Sequence, residues 1–299
     1  MSWIAIGMAL ALATGQAAQD PAAESLSTQD AETPVSEEIV VTAMREKAMA
    51  DLVADISQET SNDQLARWDR KICPAIIGMK KKPAEYMADR LALAAYSLGL
   101  DVGEPGCRPN VLIFGTADSQ ALVKQLVADQ PLAFDKFQET GKNNGRKALK
   151  AFIETPRPVR WWHVTREADE NGMKIDAGGT VTVRSVGRLK ANTRDDFDRA
   201  IVIVDFNLTK GAKLQAIADY VAMITLAQVA PDAQRIRANS ILNLFDPNAP
   251  LDDRPVALTE WDQTYLKGLY DAERMARNSK VQRRTIVDRL RRPSAEKKQ

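Results

Sequence analysis

Residues 200–229 read AIVIVDFNLTKGAKLQAIADYVAMITLAQV, and two periodicities meet in them. Residues 200–206 are apolar at nearly every position, the pattern of a strand covered on both faces and therefore placed inside a sheet. From about 212 to 229 the apolar residues switch to helical spacing. Leu214, Ile217, Val221, Thr225 and Val229 make one stripe, and Tyr220, Met223, Ile224 and Leu226 add apolar surface elsewhere. Such a helix has few solvent-facing positions, so it is expected to be the core helix of its domain.

Upstream of this centre, residues 72–79 (ICPAIIGM) and 111–115 (VLIFG) read as strands. Between them Pro83 suits a first helical turn, and Met87, Leu91, Ala94, Ala95 and Leu98 recur at helical spacing until Gly99. Strand, helix and strand with short connections predict a right-handed crossover and two parallel strands. A helical stretch at 119–127 and a Lys/Asn/Gly-rich surface segment at 142–147 follow. Strands are then expected at 159–165 and 180–188, the second alternating in polarity and suited to an edge, with Gly178-Gly179 and the polar residues 192–199 as breaks.

Downstream, Asn239 to Phe245 is a tight apolar turn. Thr259 can cap a last helix with Trp261, Tyr265 and Leu269 on one face, and Asp262 is placed to reach back in a variant capping box. From Arg274 the chain turns basic, with ten Lys or Arg against Asp288 and Glu296. A solvated helix ending before Pro293 is the simpler reading, and contact with anionic lipid is the functional one.

The chain has 299 residues, 44% of them apolar, enough for a sizeable core. Its 41 Lys and Arg balance 40 Asp and Glu, which gives no general reason to expect nucleic acid as a partner. Residues 1–18 carry an apolar run of about eleven residues followed by small residues, the layout of a signal peptide, and this predicts a periplasmic or secreted protein. Residues 19–47 read as a disordered linker, 48–273 as the folded domain and 274–299 as a basic tail. Cys73 and Cys107 both precede one of the two parallel strands at the same edge, so a disulfide is expected. Closing that loop stabilises the fold by roughly 3–4 kcal/mol. The linker ends in the β-branched run Ile39-Val40-Val41-Thr42, which resembles the energy-coupling segment of TonB-dependent outer-membrane receptors and could add as a strand to an envelope partner.

The order of elements from 71 to 271, with Ser240-Ile241-Leu242-Asn243, Leu258-Thr259-x-x-Asp262 and Leu269-Tyr270-Asp271 at its close, resembles the zincin fold of matrixin-like metallopeptidases and an exported bacterial family related to them. The resemblance implies an α+β fold with a mixed, mostly parallel twisted sheet, a crossover helix, a central long helix and a C-terminal helix. In that family the long helix carries His-Glu-x-x-His-x-x-Gly-x-x-His around zinc. Here Ala218, Asp219 and Ala222 stand at the His, Glu and His positions, Thr225 at the Gly and Gln228 at the third His. A methyl group cannot ligate zinc, and His163 is the only histidine, so neither metal nor cofactor is expected. No nucleophile-elbow or phosphate-loop motif is present.

Two functions follow as expectations. The first is a non-catalytic envelope protein that binds a peptide or protein in the inherited cleft near Asp219, Tyr220 and Gln228, or through residues 39–42. The alternative is a metal-independent hydrolase with an unrecognised site around Asp219.

Overall fold

A computed structural model describes residues 37–56, 64–134, 145–175, 190–230 and 236–291. Its first element is helix α1 (Glu37–Ile56). Ile39, Val40, Val41 and Thr42, expected to be extended, lie in its first turns, and residues 37–47, expected to be linker, are helical. The β-branched run is short. The Ala, Met, Arg, Glu and Lys that follow it favour helix, and Met49, Leu52, Val53 and Ile56 supply a buried stripe at i, i+3, i+4 and i+7. The leader, the rest of the linker and the edge strand expected at 180–188 lie outside the described residues.

β1 (Pro74–Ile77), α2 (Lys81–Ser97) and β2 (Val111–Thr116) form the expected crossover, with Pro74 paired to Val111 in a parallel register. α3 (Ser119–Asp129) starts at Asp118, whose side chain accepts the Ala121 N–H at 2.9 Å. A further helix, α4 (Gly145–Glu154), runs through the end of the segment expected to be irregular surface. It is amphipathic, and it buries Leu149 and Phe152.

β3 (Val159–Ala168) and β4 (Arg194–Asp205) pair antiparallel, and β4 pairs parallel with β2 from Val111–Ala200 to Thr116–Asp205. The sheet order is β1-β2-β4-β3, which places β4 in the interior as its two-sided apolar pattern requires. β4 begins earlier than expected and absorbs the polar residues 194–199.

α5 (Leu214–Leu226) lies on one face of the sheet, packed against α2, where Ala200, Val202 and Val204 of β4 point into the main core. Ile201 and Ile203 point the other way, into a second core formed with Trp162, Val123, Phe134, Leu149 and Phe152. A 3-10 turn, Ile241–Phe245, leads to α6 (Glu260–Asp271), and α7 (Ser279–Arg291) is the last of the described elements. α7 is not a free solvated tail. It packs on α1 and α6, buries Ile286, and accepts the Leu65 N–H on Gln282 Oε1 at 2.6 Å. The fold is therefore α+β with a mixed, mostly parallel sheet.

The Cys73–Cys107 disulfide is formed, with the Cα atoms 6.0 Å apart. Asn110 fixes the same edge, its Oδ1 accepting the Cys73 N–H at 2.7 Å and its Nδ2 donating to the Lys71 carbonyl at 3.0 Å. Gly103 leaves room for the bridge, since a Cβ there would overlap the sulfur of Cys107. Among the described residues no helix is long and apolar enough to cross a membrane.

Candidate functional site

α5 carries four of the five positions singled out by the zinc pattern, and Gln228 follows just after it. Ala218, Asp219 and Ala222 are all buried, and Asp219 has no exposed surface at all. Its carboxylate receives Arg90 Nε at 2.6 Å and a second guanidinium nitrogen at 2.5 Å, and Oδ2 also accepts the Leu258 N–H at 2.8 Å. Arg90 comes from α2, so this side of α5 is the helix–helix contact. Ala222, three residues on, lies on the same side, where a small side chain permits close approach. Arg90 is raised above its ordinary pKa by the hydrogen bonds to Asp219, against some desolvation.

Tyr220 is 6% exposed, its ring 5.2 Å from Phe245 and 6.2 Å from Trp161 in edge-on contacts, and burial pushes its hydroxyl upward. Gln228 is 2% exposed, and its Oε1 accepts the Ala66 N–H at 2.7 Å. Asp219, Tyr220 and Gln228, expected to line a binding cleft, are therefore internal residues. The reason is sequence-distant: α2, residues 64–68 and Leu258 close over them.

The carboxyl end of α5 is held by side chains from three other elements. An α-helix leaves its last carbonyls without partners inside the helix. Here His163 Nε2 bonds the Ile224 carbonyl at 2.7 Å, Trp68 Nε1 donates to the Thr225 carbonyl at 2.8 Å, and the Tyr270 hydroxyl donates to the Leu226 carbonyl at 2.9 Å. Trp161 Nε1 adds a bond to the Val229 carbonyl at 3.0 Å.

His163 is fully buried against Phe197, with the ring centroids 4.9 Å apart, and its Nδ1 has no hydrogen-bond partner. Burial pushes it down to about 4, the bond to Ile224 acting in the opposite direction. At neutral pH the ring is uncharged, with its proton on Nε2. It is a core residue and reaches no nucleophile.

The two short motifs behind the family resemblance are joined by Asp262. Its carboxylate accepts Ser240 Oγ at 2.5 Å, the Ile241 N–H at 2.8 Å and the Thr259 N–H at 2.9 Å, and Thr259 Oγ1 accepts the Asp262 N–H at 3.2 Å. The capping box is formed, and its acid also fixes the turn before α6. Burial pushes Asp262 upward, opposed by Ser240, Ile241 and Thr259.

Asp195 and Asp196, within the polar stretch 192–199 expected to be a break, are buried in β4. Asp196 lies 3.2 Å from Arg194 Nε and 3.7 Å from Arg166, while Arg194 and Arg274 both pair with Asp69. Arg67, pushed down to about 10 by burial and by Arg274, donates to the carbonyls of Leu269, Tyr270 and Ala272. No sequence signal pointed to this network, because its members are scattered from 67 to 274. Its groups bond one another or backbone, and it joins residues 67–69 to the ends of β4 and α6.

A surface recess of about 480 Å³ lies beside the 3-10 turn, lined among others by Ile236, Asn239, Asn243, Asp246 and Ala249. Asn243 stiffens its wall by donating to the Ile236 and Ala238 carbonyls, both at 2.9 Å. Arg237 is tied to Asp55 at 2.7 Å and Asp51 at 3.2 Å on α1. Asp252 and Asp253, in the short 3-10 turn Leu251–Asp253, are exposed, as a solvated pair should be. Among the described residues no three His, Cys, Asp or Glu side chains converge as a metal-ligand set. The site and fold thus define an α+β protein in which Asp219, Tyr220 and Gln228 are packed as core. No family model, no curated protein and no solved structure matches the chain.

Proposed function

We propose that this chain is a non-catalytic protein of the cell envelope, related to matrixin-like metallopeptidases, that acts by binding a peptide or protein. The observation that carries this reading is the state of Asp219. It stands where the family's catalytic acid would be, yet both oxygens are bonded to Arg90 and one also to the Leu258 amide. A carboxylate held in this way, inside the α2–α5 contact, has neither a free lone pair directed at substrate nor access to water. Buried Ala218 and Ala222 on the same helix support the same reading. The Cys73–Cys107 disulfide supports an oxidising compartment and therefore export.

The place for a partner shifts from the buried cleft to the recess beside the 3-10 turn, whose volume of about 480 Å³ suits a few peptide side chains. Ala249 lines it, so Ala249→Trp fills it without touching the core. The test is co-purification from envelope extract with the native chain and this variant, alongside a broad peptidase screen with and without added zinc. The expected result is a partner lost on Ala249→Trp and no turnover. Peptide hydrolysis by the native chain that Asp219→Asn abolishes at a temperature where this variant is still folded would refute the proposal.

A further inference from the structure

The carboxyl end of the parallel strands presents apolar groups to water on a rigid support. Phe206, Leu208 and Leu214 are 41%, 47% and 40% exposed, the first two in the turn that leads from β4 into α5 and the third opening α5. The turn is braced from below. Asp205, itself buried, accepts the N–H groups of Ser119 at 3.0 Å, Asn207 at 2.9 Å and Leu208 at 3.1 Å, and Asn207 Nδ2 donates to the Ala117 carbonyl at 2.8 Å. Burial alone would raise Asp205, but these bonds outweigh it and hold the carboxyl below its ordinary value. Phe206 rests with Met79 over Gly115, where a Cβ would overlap both side chains. The exposed apolar surface is thus fixed in position.

Its surroundings are basic. Lys210 and Lys213 lie within the turn, and Lys80, Lys81 and Lys82 open α2, which starts at the same end of the sheet beside β1. All five are exposed. Exposed acids on the same elements include Glu85, 3.8 Å from Lys81, Asp89 one turn further along α2, and Asp118, which caps α3. Lys80 and Lys213 also occupy the N-cap positions of α2 and α5 and make no capping bond there. An ammonium group cannot accept a hydrogen bond from a helix N–H, so both cations stay in solvent and do not engage the helix ends. Every one of these cations is lysine. A cluster of basic side chains beside exposed apolar groups is complementary to the negative surface of an anionic bilayer.

We propose that the turn from Phe206 to Leu214, with Lys80, Lys81 and Lys82 beside it, docks on an anionic phospholipid bilayer. Phe206, Leu208 and Leu214 enter the boundary between headgroups and acyl chains while the lysines meet the phosphates. This surface is distinct from the basic C-terminal segment, whose helix α7 packs on α1 and α6, and the proposal does not depend on the peptide-binding reading.

The experiment is sedimentation of the full chain with vesicles of phosphatidylcholine alone and of phosphatidylcholine mixed with phosphatidylglycerol. Binding is expected only to the mixed vesicles and is expected to weaken with salt. Changing Lys81, Lys82 and Lys213 together to Gln should lower partitioning on the order of a hundredfold, roughly fivefold per lysine. Phe206→Ser with Leu208→Ser should lower it by about tenfold or more. Melting curves of the lysine variant should match the native chain, and the Phe206→Ser, Leu208→Ser variant should still unfold cooperatively with a small downward shift, since both apolar side chains are only partly buried. Lys280→Gln with Arg284→Gln on α7 should leave partitioning unchanged. Equal binding to neutral vesicles, no binding to anionic ones, or loss only in the α7 variant would each overturn the proposal. So would capture of soluble polyglutamate in place of vesicles, which would assign the surface to an acidic macromolecule.

Discussion

His163→Phe isolates the contribution of one buried imidazole to stability. The ring takes up a proton at about 4 in the folded chain and at about 6.5 when unfolded, because the interior offers the charged form only Phe197 and the Ile224 carbonyl, already an acceptor for Nε2. Between those values the unfolded state binds more protons than the folded one. Stability is therefore fully present above about pH 6.5 and falls by about 1.4 kcal/mol per pH unit as pH drops, to a total of about 3 kcal/mol near pH 4. Phenylalanine keeps the aromatic contact but removes the bond to Ile224, a loss of about 1–2 kcal/mol near pH 7.5. It also removes the proton uptake, so the variant is less stable than the native chain near neutrality and equal or more stable at about pH 4.5. Because His163 is the only histidine, urea unfolding of both proteins across this range reads its titration directly. Stability curves that stay parallel from neutral to acid would show that His163 titrates normally and is not sealed in the core.

Three further outcomes are expected. Asp219→Ala, which leaves Arg90 and the Leu258 amide unpaired, should lower unfolding free energy by about 3 kcal/mol, and Asp219→Asn by about half of that; no measurable loss for Asp219→Asn in denaturant titrations would show that the charge on Asp219 contributes nothing. Reducing the Cys73–Cys107 bridge should shift the urea midpoint by the equivalent of roughly 3–4 kcal/mol, and thiol titration of the native, unreduced protein should find none reactive. Gly78 has φ +77° and a Cβ there would run into the Gly115 carbonyl, whereas Gly106 has φ +90° and open space around it. Gly106→Ala should therefore cost about 1 kcal/mol and Gly78→Ala well above 2 kcal/mol in thermal or urea melts; similar losses at both sites would remove the steric argument.

Elements whose periodicity is local were legible in the sequence. β4 announced itself through consecutive apolar residues, α2 and α5 through helical spacing, and α6 through Thr259 and Asp262. The disulfide followed from where Cys73 and Cys107 stand relative to two parallel strands. Features set by distant partners were hidden. Asp195 and Asp196 look like loop residues until Arg166 and Arg194 arrive from across the sheet, and residues 39–42 look extended until the rest of α1 docks into the core. The start of α4 is masked by its Gly and Lys residues, and only Leu149 and Phe152 betray its buried side. The pattern on α5 correctly located the helix that matters most to the core. It wrongly implied that Asp219, Tyr220 and Gln228 are accessible, because nothing near them in sequence reveals Arg90, Phe245 or Ala66.

The donors gathered at the end of α5 bear on how this chain opens and closes. Trp68, His163 and Tyr270 reach that helix across 157, 61 and 44 residues of chain, so its last turn cannot be completed until the segments before β1, within β3 and at the end of α6 have all arrived. Helix ends ordinarily fray on their own, exchanging amide protons with solvent through small local openings. Here fraying would have to release three separately anchored side chains at once. The amides of the last turn of α5 should therefore exchange deuterium only through the largest opening event of the domain, which makes a helix terminus one of its slowest-exchanging points.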